Sequence, residues 1–154
     1  HLNTVIKDAG TGGEMIRIAK MDLSSIMALL DHKNHRVASA AAYALGEIRD
    51  AEAVPALVSA LKSDRDHMRR IAAHALGKIG DSRAVMPLTE ILRNDQPLAV
   101  QASVIMSLGK IGGPEARRIL AQLDRSPQKW LQQTANVALL KINANQSFRL
   151  AAVE

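Results

Sequence analysis

The sequence predicts an all-helical solenoid built from stacked antiparallel helix pairs. Three observations predict it. A segment ending in Leu-Gly recurs along the chain at a near-constant spacing. Apolar residues inside each copy fall at helical intervals, so each copy has one face to bury. Aromatic residues make up only 2% of the chain, so space must be filled by Ala, Leu, Ile, Val and Met. Small residues of that kind suit thin layers of closely approaching helices.

The copies run Arg36–Ile48, His67–Ile79, Ala99–Ile111 and Trp130–Ile142. Their second residues, Val37, Met68, Val100 and Leu131, are 31, 32 and 31 residues apart. Leu45-Gly46, Leu76-Gly77 and Leu108-Gly109 occupy equivalent places, and Leu139-Leu140 replaces the pair in the last copy. In the first copy Val37, Ala41, Ala44, Leu45 and Ile48 form one helical stripe. Ser126-Pro127 reads as an N-cap followed by proline at the first helical position, and Asp95-Gln96-Pro97 has similar character. Gly80 and Gly112-Gly113 punctuate the helix ends.

The segments between copies repeat too. Asp50-Ala51-Glu52-Ala53-Val54-Pro55-Ala56-Leu57 matches Asp81-Ser82-Arg83-Ala84-Val85-Met86-Pro87-Leu88, with the proline slipped by one position. Leu23, Ile26 and Leu30 stand in the places of Val54, Leu57 and Leu61, and Gly113-Pro114-Glu115-Ala116 opens a shorter version. Each proline falls in the first turn of its helix, where the missing N–H costs little. Asp50 and Asp81 read as caps rather than as acid–base groups. Neither helix of a unit can bury its stripe alone, so successive pairs must stack.

These features divide the chain into a flexible segment 1–13, a repeat domain 14–142 of about four units with a degenerate first one, and a cap or tail 143–154. Residues 14–21 are expected to be helical. Residues 1–13 hold no signal-peptide pattern, and no apolar run approaches the roughly 18 residues of a membrane helix. The chain has no cysteine, which excludes disulfides and thiolate metal sites and permits a cytoplasmic location. Its net charge of +5 permits anionic partners, although a soluble basic surface explains it as well.

The run V-x-x-x-A-A-x-A-L-G-x-I-(G)-D-x-x-A-V-P-x-L resembles HEAT-like repeats of the phycobilisome-lyase type, over roughly Leu23 to Ile142. The resemblance implies a right-handed solenoid whose Leu-Gly helices line a concave surface where partners bind. The family's name refers to bilin attachment, but the repeat alone does not imply that chemistry.

On that surface a helical wheel selects positions that vary between copies. One row is Glu47, Lys78, Lys110 and Lys141, whose ammonium groups would form a rail for an anionic partner or a solvated edge. A second is Tyr43, His74, Met106 and Val137, a semi-apolar stripe that a partner helix or peptide could cover, unless solenoid curvature or the termini bury it. A third is Arg36, His67, Ala99 and Trp130, in which Trp130 is an interface anchor or an end cap. Arg70 lies beside it, with Ser39, Ala102 and Gln133. The candidate binding residues are therefore Tyr43, Arg70, His74, Lys78, Met106, Lys110, Trp130 and Lys141.

Chemistry has little to stand on. His32, His35 and His67 with Asp64 or Asp66 offer metal-ligand atom types, but their spacing matches no ligand motif, so no metal is expected. Gly10-Thr11-Gly12-Gly13 lacks the strand and spacing of a phosphate loop. The expectation is a non-catalytic scaffold without a cofactor and without membrane contact. It would bind a peptide, helix or domain of another protein through the concave face. One alternative is a nucleic-acid-binding module using Arg70, Lys78, Lys110 and Lys141, although the chain nearly lacks aromatics to stack on bases. A second is a subunit of a bilin-lyase-like enzyme.

Overall fold

The computed structural model describes residues 21–93 and 95–152, and every regular element within them is helical. In chain order these are α1 (Leu23–Ala28), α2 (His35–Ile48), α3 (Val54–Ala60), α4 (Asp66–Ile79), α5 (Val85–Leu92), α6 (Leu98–Ile111), α7 (Gly113–Leu123) and α8 (Lys129–Ala151). They pair as α1–α2, α3–α4, α5–α6 and α7–α8. The Leu-Gly helices α2, α4, α6 and α8 pack in sequence as one layer, and each packs on its shorter partner in the other. The expected segment 1–13 lies outside the described residues, and so does the expected helix over 14–21 apart from Met21, which is a bend and not helix.

Local chemistry sets the helix starts. Asp22 caps α1, its carboxylate accepting from the Ser25 N–H at 2.8 Å. Asn34, within the loop before the first Leu-Gly copy, caps α2 by accepting from the Arg36 N–H at 3.0 Å. Asp50 and Asp81 do cap, but they cap 3-10 turns, Ala51–Ala53 and Ser82–Ala84, that run straight into α3 and α5. Pro55 and Pro87 both fall where the helix leaves N–H groups unpaired, so the one-position slip is tolerated.

Three starts or lengths differ from expectation. Pro97 is itself the N-cap of α6, which begins at Leu98. At Ser126-Pro127 the serine hydroxyl accepts from the Gln128 N–H and closes a turn, so α8 begins only at Lys129. The segment opened by Gly113 is not shorter: without a 3-10 turn ahead of it, α7 reaches 11 residues against 7 in α3 and 8 in α5.

Three of the Leu-Gly helices end at a residue of positive φ. Gly80 closes α4 at φ 77° and Gly112 closes α6 at φ 67°, and Arg49 takes the equivalent place after α2 at φ 59°.

The layers are held by small residues meeting across rungs. A Cβ added at Gly46 would lie 2.8 Å from Ala75 Cα, one at Gly77 2.6 Å from Ser107 Oγ, and one at Gly109 2.9 Å from Ala138 Cβ. Each Leu-Gly glycine thus admits the small residue just before the leucine of the next copy. Leu140 holds this position in α8 and is 61% exposed. That explains why a leucine fits there. Ser107 is buried and donates to the Ala73 carbonyl at 2.7 Å, fastening α6 to α4. The core between the layers is formed by Ile26, Leu45, Leu57, Leu61, Leu76, Leu88, Ile105, Leu108 and Leu120, all fully buried.

Arginines tie the loops of successive units. Arg69 donates to the Ser63 carbonyl at 2.7 Å and to Gln96 Oε1 at 2.9 Å, and it pairs with Asp66. Arg83 donates to the Ala51 carbonyl at 3.0 Å. Arg117 on α7 donates to Asn143 and Gln146 on α8. No break occurs at Ile142: residues 143–151 continue α8, which at 23 residues is about 35 Å long. Among the described residues no helix is long and apolar enough to cross a membrane.

Candidate interaction surface

Stacking α2, α4, α6 and α8 brings the variable rows onto one side. Tyr43 and Glu47 are one turn apart on α2, as are His74 and Lys78 on α4, Met106 and Lys110 on α6, and Val137 and Lys141 on α8. The semi-apolar row therefore runs beside the charged row across all four rungs.

The charged row is less uniform than a rail of three ammonium groups. Lys78 pairs with Glu47 of the preceding rung, and both side chains are largely covered. The Lys78 ammonium also sits 5.7 Å from the centre of the Tyr43 ring, within cation–π reach. The first rung thus neutralises the second. Lys110 and Lys141 are exposed, and among the described residues neither has a carboxylate within ion-pair distance. Partial burial lowers the Lys110 pKa from its ordinary value, and the nearby cations Lys78, Lys141 and Arg49 lower it further. Arg49 belongs to this cluster although the repeat alignment did not select it. The available signal was an arginine where the second and third copies carry glycine.

In the semi-apolar row Tyr43, His74 and Met106 are half-buried rather than fully outward, and Val137 is exposed. The wheel treated each helix as isolated, whereas neighbouring rungs shade these positions. Burial, then the charges of Lys110 and Arg70, hold the His74 imidazole below its ordinary pKa. Residues 143–151 do not fold back over the row, because they continue α8 and meet α7 through Arg117.

In the third row Arg36, His67 and Ala99 are exposed, whereas Trp130 is half-buried and packs against the core. Arg70 is exposed, and its guanidinium lies 3.3 Å from His67 Nδ1. A cleft of about 140 Å³ is lined by Lys110, Gly112, Gly113, Gln146 and Arg149. Sequence reasoning missed this cleft because its lining depends on α8 continuing past Ile142. Among the described residues no group of three His, Asp or Glu side chains could hold a metal. Asp66 pairs with Arg69, and His67 faces Arg70.

Stacked helix pairs with constant packing positions and variable rows on one layer define a helical-repeat scaffold. A family model for HEAT repeats matches residues 23–103 and again 67–140. The chain belongs to the HEAT-repeat family. A search among curated proteins gives no significant match. Among solved structures, the chain is similar to one from the complex of CpcE and CpcF of phycocyanin lyase from Nostoc sp. PCC7120. The TM-score is 0.67 at 19% identity, over 92% of this chain and 65% of that one. The crystal structure of an engineered protein matches with TM-score 0.56 and 20% identity, over 93% of this chain and 79% of the other. The chain thus spans about two-thirds of the length of the lyase-complex chain. At these identities the likeness concerns the fold.

Proposed function

We propose that this chain is a non-catalytic protein-interaction scaffold. It holds a peptide, helix or domain of another protein against the inner layer of Leu-Gly helices, and it works in the cytoplasm. One observation carries the reading. Residues that repeat are consumed by packing, while those that vary, Tyr43, His74, Met106, Lys110 and Lys141, gather on one side of four stacked helices. Half-buried apolar groups beside exposed cations suit a protein surface better than a purely charged ligand. The test is affinity capture with the wild-type chain and with Tyr43→Glu/Met106→Glu, each checked for helicity. The reading expects bound proteins that disappear with this variant and persist when exposed Met86 on α5 is replaced by Glu. Equal capture by all three proteins would remove this face from consideration.

The similarity to a chain of a lyase complex supports a second reading, in which the scaffold serves as a subunit of a bilin-lyase-like enzyme. An absorbance change on adding free bilin, abolished by the same double variant, would favour it. A nucleic-acid role, using Arg70, Lys78, Lys110 and Lys141, rests on the basic charge alone. It requires binding to duplex or single-stranded DNA that weakens steeply with salt.

A further inference from the structure

We infer that the occupant of this face is an acidic amphipathic helix lying along the stack, across α4, α6 and α8. The inference rests on the scaffold reading and specifies its partner. Lys110 and Lys141 are exposed at successive rungs, with Arg49 and Lys78 close enough to Lys110 to repel its charge. The one carboxylate in the row, Glu47, is already engaged by Lys78. Among the described residues no other carboxylate lies within ion-pair distance of Lys110, Lys141 or Arg49. Among the described residues the row therefore holds uncompensated positive charge that an anionic partner would relieve.

The neighbouring stripe decides which anion. One turn before each charged position, about 6 Å along the helix, stand His74, Met106 and Val137. Val137 is 47% exposed, and Met106 is half-buried. A partner must supply carboxylates on one line and apolar side chains on a parallel line. Nucleic acid supplies phosphates but nothing for the methionine and valine. The aromatic ring of the row, Tyr43, has Lys78 over its face instead of offering that face to a base.

Spacing selects the partner's repeat. Packed helix axes lie roughly 8–10 Å apart. The small-residue contacts at Gly77 and Gly109 hold these rungs close. A helix advances about 10.5 Å over seven residues and returns to nearly the same face. Asp or Glu recurring every seven residues, with apolar residues three or four positions away, would meet the rungs in turn. Flexible lysine stems absorb the small mismatch.

The test uses the full chain and synthetic helical peptides of three heptads. One carries Glu at heptad spacing beside a Leu stripe. A second has the same composition with Glu moved to the opposite face. A third has Gln in place of Glu. A single-stranded oligonucleotide is the fourth probe. The first peptide should bind about tenfold more tightly than the second or third, and Lys110→Glu/Lys141→Glu should abolish that preference. If the charge-reversed variant loses helicity, Lys110→Gln/Lys141→Gln replaces it and should lose most of the preference. Equal binding of all three peptides, or tighter binding of the oligonucleotide with the same lysine dependence, overturns the inference. If Tyr43→Glu/Met106→Glu abolishes protein capture while the lysine variants leave it unchanged, the acidic partner is wrong and the scaffold reading stands.

Discussion

Replacing Gly77 by alanine sets two effects against each other. Gly77 lies in the last turn of α4, and in an open helix this change would gain about 1 kcal/mol from helix propensity. Here the added Cβ would stand 2.6 Å from Ser107 Oγ, 2.7 Å from its Cβ and 2.9 Å from its Cα. The Cα belongs to the backbone, so a rotamer change at Ser107 cannot clear the overlap and α6 must move away. Overpacking of this kind costs about 1–3 kcal/mol, sometimes more, and displacing Ser107 endangers a hydrogen bond worth about 1 kcal/mol. The balance is a net loss of about 1–3 kcal/mol, or a fall of roughly 2–12 °C in Tm for a chain of this size. Urea unfolding followed by far-ultraviolet circular dichroism measures it. The matched control is Leu140→Ala, at the equivalent position of α8. Leu140 is 61% exposed, so the change should stay within about 0.5 kcal/mol. If Gly77→Ala were as stable as wild type, or gained the propensity increment, the close approach of α4 and α6 would be refuted.

Three further outcomes follow from the same geometry. Arg69→Met keeps an unbranched apolar stem but removes the bonds to Ser63 and Gln96, so it should cost about 1–3 kcal/mol in urea unfolding; Arg69→Lys should recover only part, since one ammonium cannot reproduce the fork. The Arg83 guanidinium, then its backbone N–H, hold the Asp81 carboxyl below its ordinary 3.8. A depressed carboxylate adds stability above the unfolded value and loses it as pH falls through the folded one. The Tm advantage of wild type over Asp81→Asn should therefore shrink as pH drops below 3.8. For His74 the unfolded chain binds a proton near 6.5 while the folded chain resists it, so its share of stability declines as pH falls below 6.5 and levels off below the folded pKa. Proton NMR should place its midpoint below 6.5, moving upward in Lys110→Gln; a midpoint at or above 6.5 would contradict the burial and charge described for it.

The sequence carried the repeat, the helix pairs and the row alignment, because these depend on period and on small residues at fixed offsets. Less legible were features created by contact between copies. Glu47 and Lys78 lie 31 residues apart in one aligned row, and their ion pair becomes visible only when the row is read as contacts between neighbouring rungs. Arg69 looked like any charged residue near a helix start, yet its stem is packed and its head ties two loops. Residues 143–151 belong to the segment read as a cap or tail, which starts polar and then carries Phe148 and Leu150. They contain neither Gly nor Pro to stop a helix, and Arg117 gives Asn143 and Gln146 a partner. The candidate rows were legible as positions but not as exposure. Helix spacing decides whether Met106 or Trp130 faces solvent, and that spacing is a tertiary property.

The most direct test of the scaffold account is site-specific photocrosslinking with a photoreactive phenylalanine in place of Met106 on α6 or of Met86 on α5. Both positions are at least partly accessible, and they sit in different layers. The account predicts that the Met106 position traps a discrete protein partner and that Lys110→Glu/Lys141→Glu weakens the trapping, while the Met86 position traps none. Trapping at Met86 with nothing at Met106 would contradict it and place binding on the opposite layer.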